Sequence, residues 1–229
     1  MKQKGLNNFG AKGWWIIIFV GLLYLISSAT VDLLNVTPQL FEAVKGWNQN
    51  SLLVFSGVGG WAGVVLALVF GRWITAKGVK VPTVLALVLV AVLFAVNGQV
   101  TSIAMYGVVV VVLTALGNTL NLVSTNTYMS NWFPKKKGIA LGWSTMGLQL
   151  STVAFVAILS WLFSSFGLSG AYFALAIFQV VLAALVFFTV RDTPQELGKY
   201  PDNLPMSDEE LQHYLAEEKN YVSTLSLGK

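Results

Sequence analysis

The chain has 229 residues, of which 55% are hydrophobic and 10% charged, with a formal net charge of +4. A water-soluble domain carries about 25% charged residues, so a molecule this poor in charge cannot clothe itself in polar surface and suits a lipid bilayer instead. There is no cysteine and the single histidine is His213, which excludes disulfides, thiolate metal sites, cysteine nucleophiles and histidine chemistry inside a membrane.

Six apolar segments follow one another, at residues 14–35, 51–70, 81–96, 103–129, 138–163 and 171–190. Each is close to or above the ~20 residues that cross a hydrocarbon core, so an all-α membrane protein with six transmembrane helices is expected. The runs are too long and too continuous for strands, which would alternate every second residue. They divide the chain into an N-terminus (1–13), a bundle (14–190) and an acidic tail (191–229). Thirteen of the 14 lysines and arginines fall in the N-terminus, the second and fourth connections and the tail; Lys45 alone falls on the other side. The positive-inside rule then places both termini in the cytoplasm of a cell whose plasma membrane holds the protein. These basic residues sit in short clusters between apolar runs, not in one patch, so nucleic acid is not an expected partner. Lys2 and Lys4 ahead of Ser27-Ser28-Ala29 resemble a signal peptide, but removing the first segment would break the alternation of charge.

Polarity varies along the spans. In the first, Tyr24, Ser28, Asp32 and Asn35 lie on one helical stripe. The second carries Gly59-x-x-x-Gly63, a spacing that lets helices approach closely, and its GVGGWAG stretch lies within an apolar span and is no phosphate loop. The third has one polar side chain, Thr83, and the sixth has Gln179 and Thr189, so both can face lipid. The fourth carries Thr114, Asn118, Asn121 and Thr125, and the fifth Thr145, Gln149 and Thr152, again as stripes. Such side chains face protein or water at membrane depth, either as interhelical hydrogen bonds or as the wall of a shared cavity. Asp32 is the one ionisable group within a span; it either binds a proton or cation or is hydrated at the helix end. The substrate-cavity candidates are therefore Asn118, Asn121, Thr125, Gln149, Tyr24, Ser28 and Asp32. After residue 190, Ser207-Asp-Glu-Glu210 reads as a capping box opening a helix to about Tyr221.

Three loop motifs carry a resemblance. The loop after the second span, with Gly71, Gly78 and Lys80, is similar to the G-x-x-x-D-R-x-G-x-R/K loop of the major facilitator superfamily, although Thr75 and Ala76 replace its Asp and Arg. Asn131-Trp-Phe-Pro-Lys-Lys-Lys-Gly-Ile-Ala-Leu-Gly142 resembles the segment that opens the fifth helix of that superfamily, above all in oxalate:formate antiporter-like and monocarboxylate-transporter-like members. Gly138 and Gly142 are expected there to pack closely against a neighbour. Gly117 fits the glycine-rich fourth span of the family, while Asn118 and Asn121 replace small residues. Thr193-Pro-Gln-Glu-Leu-Gly-Lys-Tyr-Pro-Asp202 is similar to a stretch that follows the sixth helix in the oxalate:formate group.

The resemblance implies one six-helix half of a major facilitator fold, built from two inverted three-helix repeats, with Gly71, Gly78 and Lys80 in a cytoplasmic gating loop. It implies a secondary transporter of a small organic anion, an antiporter, completed by a complementary C-terminal half or a second copy, since the chain stops where a seventh helix would follow. A non-transporting regulatory or assembly subunit is the alternative. No cofactor and no metal are expected, and no enzyme: an intramembrane protease needs a histidine or paired carboxylates that the spans lack.

Overall fold

The computed structural model describes residues 7–207, 209–213 and 216, without the side chains of Asp32 and Asn35. Among the described residues there is no strand. The helices are α1 (Gly10–Asp32), α2 (Thr37–Lys45), α3 (Gln49–Lys77), α4 (Lys80–Asn97), α5 (Ile103–Trp132) and α6 (Lys137–Thr189). All except α2 are long and apolar enough to span a membrane, which makes five candidate spans.

Where two spans were expected after residue 137, the structure has one helical stretch of 53 residues. Run straight, it would reach ~80 Å. It does not run straight. Gly167 has φ 66° and ψ −177°, a conformation that a Cβ would penalise, and it breaks the helix. The two ends of α6 return to one place: Asn131 Nδ2 donates to the carbonyl of Asp192 at 3.2 Å, and Trp132 Nε1 to that of Arg191 at 3.1 Å. Midway, Ser169 Oγ donates to the Gly98 carbonyl at 2.5 Å, at the far end of α4. So residues 137–166 run away from the lysine-rich end and residues 168–189 run back along α4.

Packing follows the small residues. A Cβ at Gly59 would lie 2.7 Å from Thr114, and one at Gly63 3.1 Å from Asn118, so the Gly59-x-x-x-Gly63 face is where α3 meets α5. Gly117 of α5 faces Thr30 and Ser27 of α1, and Gly147 of α6 lies against the Gly21 backbone. α5 and α1 are the most enclosed spans (61% and 56% buried) and α3 the least (17%). Val58, Trp61, Val65 and Leu68 of α3, and Ile177, Val181 and Phe188 of α6, are exposed apolar surface of the kind that faces lipid.

The third segment does not face lipid throughout, as its composition suggested. One side of α4 exposes Val81, Leu85, Val88 and Val92, but Thr83, Leu87, Val90, Phe94 and Asn97 are buried. Thr83 Oγ1 donates to its own helix at Val79 and to Ser124 Oγ of α5 at 2.9 Å. The contact with Ser124 places this side of α4 against α5 and not against lipid.

At the end opposite the lysines, α2 forms where the sequence suggested no element. Phe41, wholly buried, stacks on Trp47 at 5.5 Å and meets Tyr106 edge-on at 4.8 Å. Lys45 donates to the Val100 carbonyl at 2.7 Å and lies over the Trp47 ring. The one basic residue off the lysine-rich side thus pins this short helix to the loop between α4 and α5.

Candidate functional site

Two departures from α geometry single out a level of the bundle. In α5, residues Leu120–Ser124 form a π turn; in α6, residues Ser151–Phe155 form another. Each inserts one residue per turn, and such bulges gather at functional sites because they redirect side chains. Both π turns pack against α1. Asn121 lies inside the first turn and Thr152 inside the second, so two of the polar stripes pass through a bulge.

The sequence-predicted residues are distributed as follows. Tyr24 is buried on α1, and Ser28 is half-buried one turn further along. Asn118 and Asn121 are half-buried on α5, and Asn118 sits beside Gly63 at the contact with α3. Thr125 is fully buried and its hydroxyl donates to the Asn121 carbonyl, within its own helix. Gln149 and Thr152 are exposed on α6, and Thr152 donates to the Leu148 carbonyl at 3.4 Å. The Asp32 and Asn35 side chains lie outside the described residues.

Among the described residues no direct hydrogen bond joins Tyr24, Ser28, Asn118, Asn121 and Gln149 to one another. Among these five residues the stripes supply no bond between helices. The hydroxyls that bridge helices belong to other residues: Thr83 with Ser124, Thr119 with the Gly63 carbonyl at 3.5 Å, and Trp15 Nε1 with Thr189 at 3.2 Å. Composition could not tell a threonine bonded to its own preceding turn from one bonded across helices, because both are equally polar in a sequence. The π turns carried no sequence signal that we can name.

Two further findings correct the motif reading. A Cβ added at Gly138 or Gly142 would meet nothing within 4 Å, so neither glycine packs closely against a neighbour in this chain. Instead a groove of about 250 Å³ opens between α1 and the start of α6, lined by Trp14, Ile18, Leu22, Met146 and Leu150. It is apolar and holds none of the candidate polar residues.

At the C-terminal end of α3, the Gly71 carbonyl accepts the Thr75 hydroxyl at 3.0 Å, so position 75 bonds back onto its own helix and carries no charge. Gly78 has φ +80°, and Lys80 opens α4 with its backbone N–H on the Asp192 carboxylate at 2.6 Å. Burial is the main influence on Asp192 and pushes its carboxyl above the ordinary value, more than the Lys80 hydrogen bond pulls it down. Sequence reasoning gave Asp192 no role.

Read as a whole, the chain is a set of long apolar helices with loops that carry three motifs. The sequence profile of the Major Facilitator Superfamily matches residues 20–208, most of the chain. The protein belongs to that superfamily. It is therefore a membrane transporter by family, not a member of an enzyme family, and its setting is a lipid bilayer with a small-molecule substrate. The superfamily match runs from mid-α1 to the start of the Ser207–Glu210 capping box, in which Ser207 N donates to Glu210 Oε2 at 2.9 Å and Glu210 N to Ser207 Oγ at 3.2 Å. The expected helix to Tyr221 is seen at residues 209–213 and 216; the remainder lies outside the described residues. No curated protein matches the chain.

Proposed function

We propose that this chain is the N-terminal six-crossing half of a secondary transporter that moves a small organic anion by alternating access. The observation that carries the reading is the return of α6 at Gly167, which supports six passes with both ends of α6 near the lysine-rich loop. In that reading the lysine-rich side is cytoplasmic, both termini lie there, and the membrane is the plasma membrane. The six passes form two three-helix inverted repeats, and a complementary C-terminal half or a second copy closes the path.

The polar residues at the two π turns and on α1 line that path. Asn121 and Ser28 are its nearest contributors because each is half-buried at the level of a bulge or beside one. Gln149 and Thr152, exposed on α6, face the partner across it. The organic-anion class rests on the loop motifs' resemblance to oxalate:formate antiporter-like proteins. The spans hold no lysine or arginine between residues 14–35, 103–129 and 138–163, so the partner half supplies the charge that meets the anion. Antiport is the exchange such a site performs when it returns loaded.

The test is uptake. The chain, co-expressed with its complementary half, is screened against small organic acids with and without a proton gradient. One or more acids should accumulate, and Asn121→Leu should lower that uptake at least several-fold. Uptake that Asn121→Leu leaves unchanged removes Asn121 from the path. The uncharged Thr75 and Ala76 favour one second reading, a non-transporting subunit; a complete absence of uptake for every acid and either gradient would support it.

A further inference from the structure

The Thr193–Asp202 motif has no role in the function just described, yet it is anchored to the rest of the molecule at both ends. At its start, the Asp192 carboxylate accepts the N–H of Lys80 at 2.6 Å, and so caps the first turn of α4. The fit is close: a Cβ at Gly78 would stand 2.0 Å from Asp192 Oδ2, so a side chain there would expel the carboxylate. The Asp192 carbonyl also accepts Asn131 Nδ2, and the Arg191 carbonyl accepts Trp132 Nε1.

At its other end, Asp202 is 0% exposed and accepts two backbone N–H groups, Lys135 at 3.0 Å and Lys136 at 2.8 Å, where α6 begins. Asp202 and Asn203 both have left-handed backbones, with φ 58° and 54°, a conformation that costs a residue with a Cβ about 1 kcal/mol or more. The surrounding bonds hold them there: Asn203 Nδ2 donates to Asn8 Oδ1 at 3.2 Å. Between the two anchors the chain is bonded to itself. Thr193 and Glu196 form a capping box, Gly198 N donates to the Gln195 carbonyl at 2.9 Å, and Lys199 N to that of Pro194 at 3.0 Å.

We propose that residues 191–203 are a strap that couples the loop before α4 to the loop before α6, with Asp192 and Asp202 as positioning residues acting through the two helix N-termini. The strap is short, internally bonded and fixed at both ends, so strain at one anchor reaches the other. Both loops carry superfamily-like motifs, and the strap makes them move as one piece, whatever the chain transports.

Hydrogen exchange on the purified chain tests this without a substrate. Asp202→Ala should speed exchange at Lys135 and Lys136 roughly three- to thirtyfold, as loss of a capping acceptor does. The distinguishing result is at Lys80: exchange there should rise at least about threefold too, although Asp202 does not touch it. Asp192→Ala should give the reciprocal pattern. Acceleration confined to the altered anchor would overturn the proposal and leave two independent caps. Should either variant fail to fold, two glycines inserted after the exposed Lys199 lengthen the strap and leave both carboxylates intact. Faster exchange at Lys80 and Lys136 together supports the strap; no change at either site overturns it.

Discussion

Single positions in this molecule differ in how much a side chain costs, and the geometry says where. A Cβ at Gly147 would stand 1.9 Å from the Gly21 carbonyl, backbone against backbone, so Gly147→Val must push α6 off α1. We expect a loss of ~2–3 kcal/mol, read as a lower unfolding temperature in detergent. Gly142→Ala, inside a helix with nothing within 4 Å, should not lower that temperature. Asp192 supplies a second, pH-dependent test. Its carboxyl is pushed above the ordinary carboxylate value chiefly by burial, so the native state takes up the proton at a higher pH than the unfolded chain. Its contribution to stability is therefore full below the ordinary value and lost as pH rises through the native one. The cap on Lys80 runs the other way, because a neutral carboxyl accepts more weakly. Mild acid should raise amide exchange at Lys80 relative to the intrinsic rate at each pH, and Asp192→Asn should abolish that pH dependence. Neither residue role could be found in the sequence. Gly21 lies 126 positions from Gly147, Lys80 lies 112 from Asp192, and neither pair shares a local pattern.

At the scale of elements, the spans were legible because ~20 apolar residues have one physical explanation in a stretch nearly free of charge. Their ends were less so: α1 begins at Gly10 and α3 runs on to Lys77, past the last apolar residue, because helical hydrogen bonding continues into the headgroup region. α2 was missed although its signals are present, with Pro38 in the first turn and Lys45-Gly46 closing the helix, because nine residues carry too little apolar periodicity to stand out. Its anchor is Phe41, and Phe41→Ala should cost ~3 kcal/mol by emptying an aromatic cluster, against ~1 kcal/mol for Lys45→Met. Thermal unfolding of the two variants gives the ranking directly. The burial of α4 was also hidden, since a helix that is apolar all round looks the same facing lipid or protein. The bond between Thr83 and Ser124 can be weighed by a double-mutant cycle with Thr83→Val and Ser124→Ala, which should return a coupling of roughly 0.6 kcal/mol, the usual worth of a hydrogen bond between membrane helices.

For the whole molecule, the superfamily was legible from the loops, while the candidate path was legible only as three polar stripes. Hydrophobicity reports which residues avoid lipid, but not whether they avoid it for protein or for water, and the structure shows several of them spending their hydroxyls on their own helices. Of the stripes, Ser28 and Asn121 are half-buried and Gln149 and Thr152 exposed, on the three helices where the two π turns pack against α1. The transporter reading requires that water reach these residues. Because the chain has no cysteine, every engineered thiol is a unique reporter. Ser28→Cys, Asn121→Cys and Thr152→Cys, each tested in the native membrane with a membrane-impermeant maleimide, should label, while Val181→Cys on the lipid-facing side of α6 should not. If all three positions stay as unreactive as Val181→Cys, no aqueous route passes between α1, α5 and α6, and the proposed transport path is contradicted.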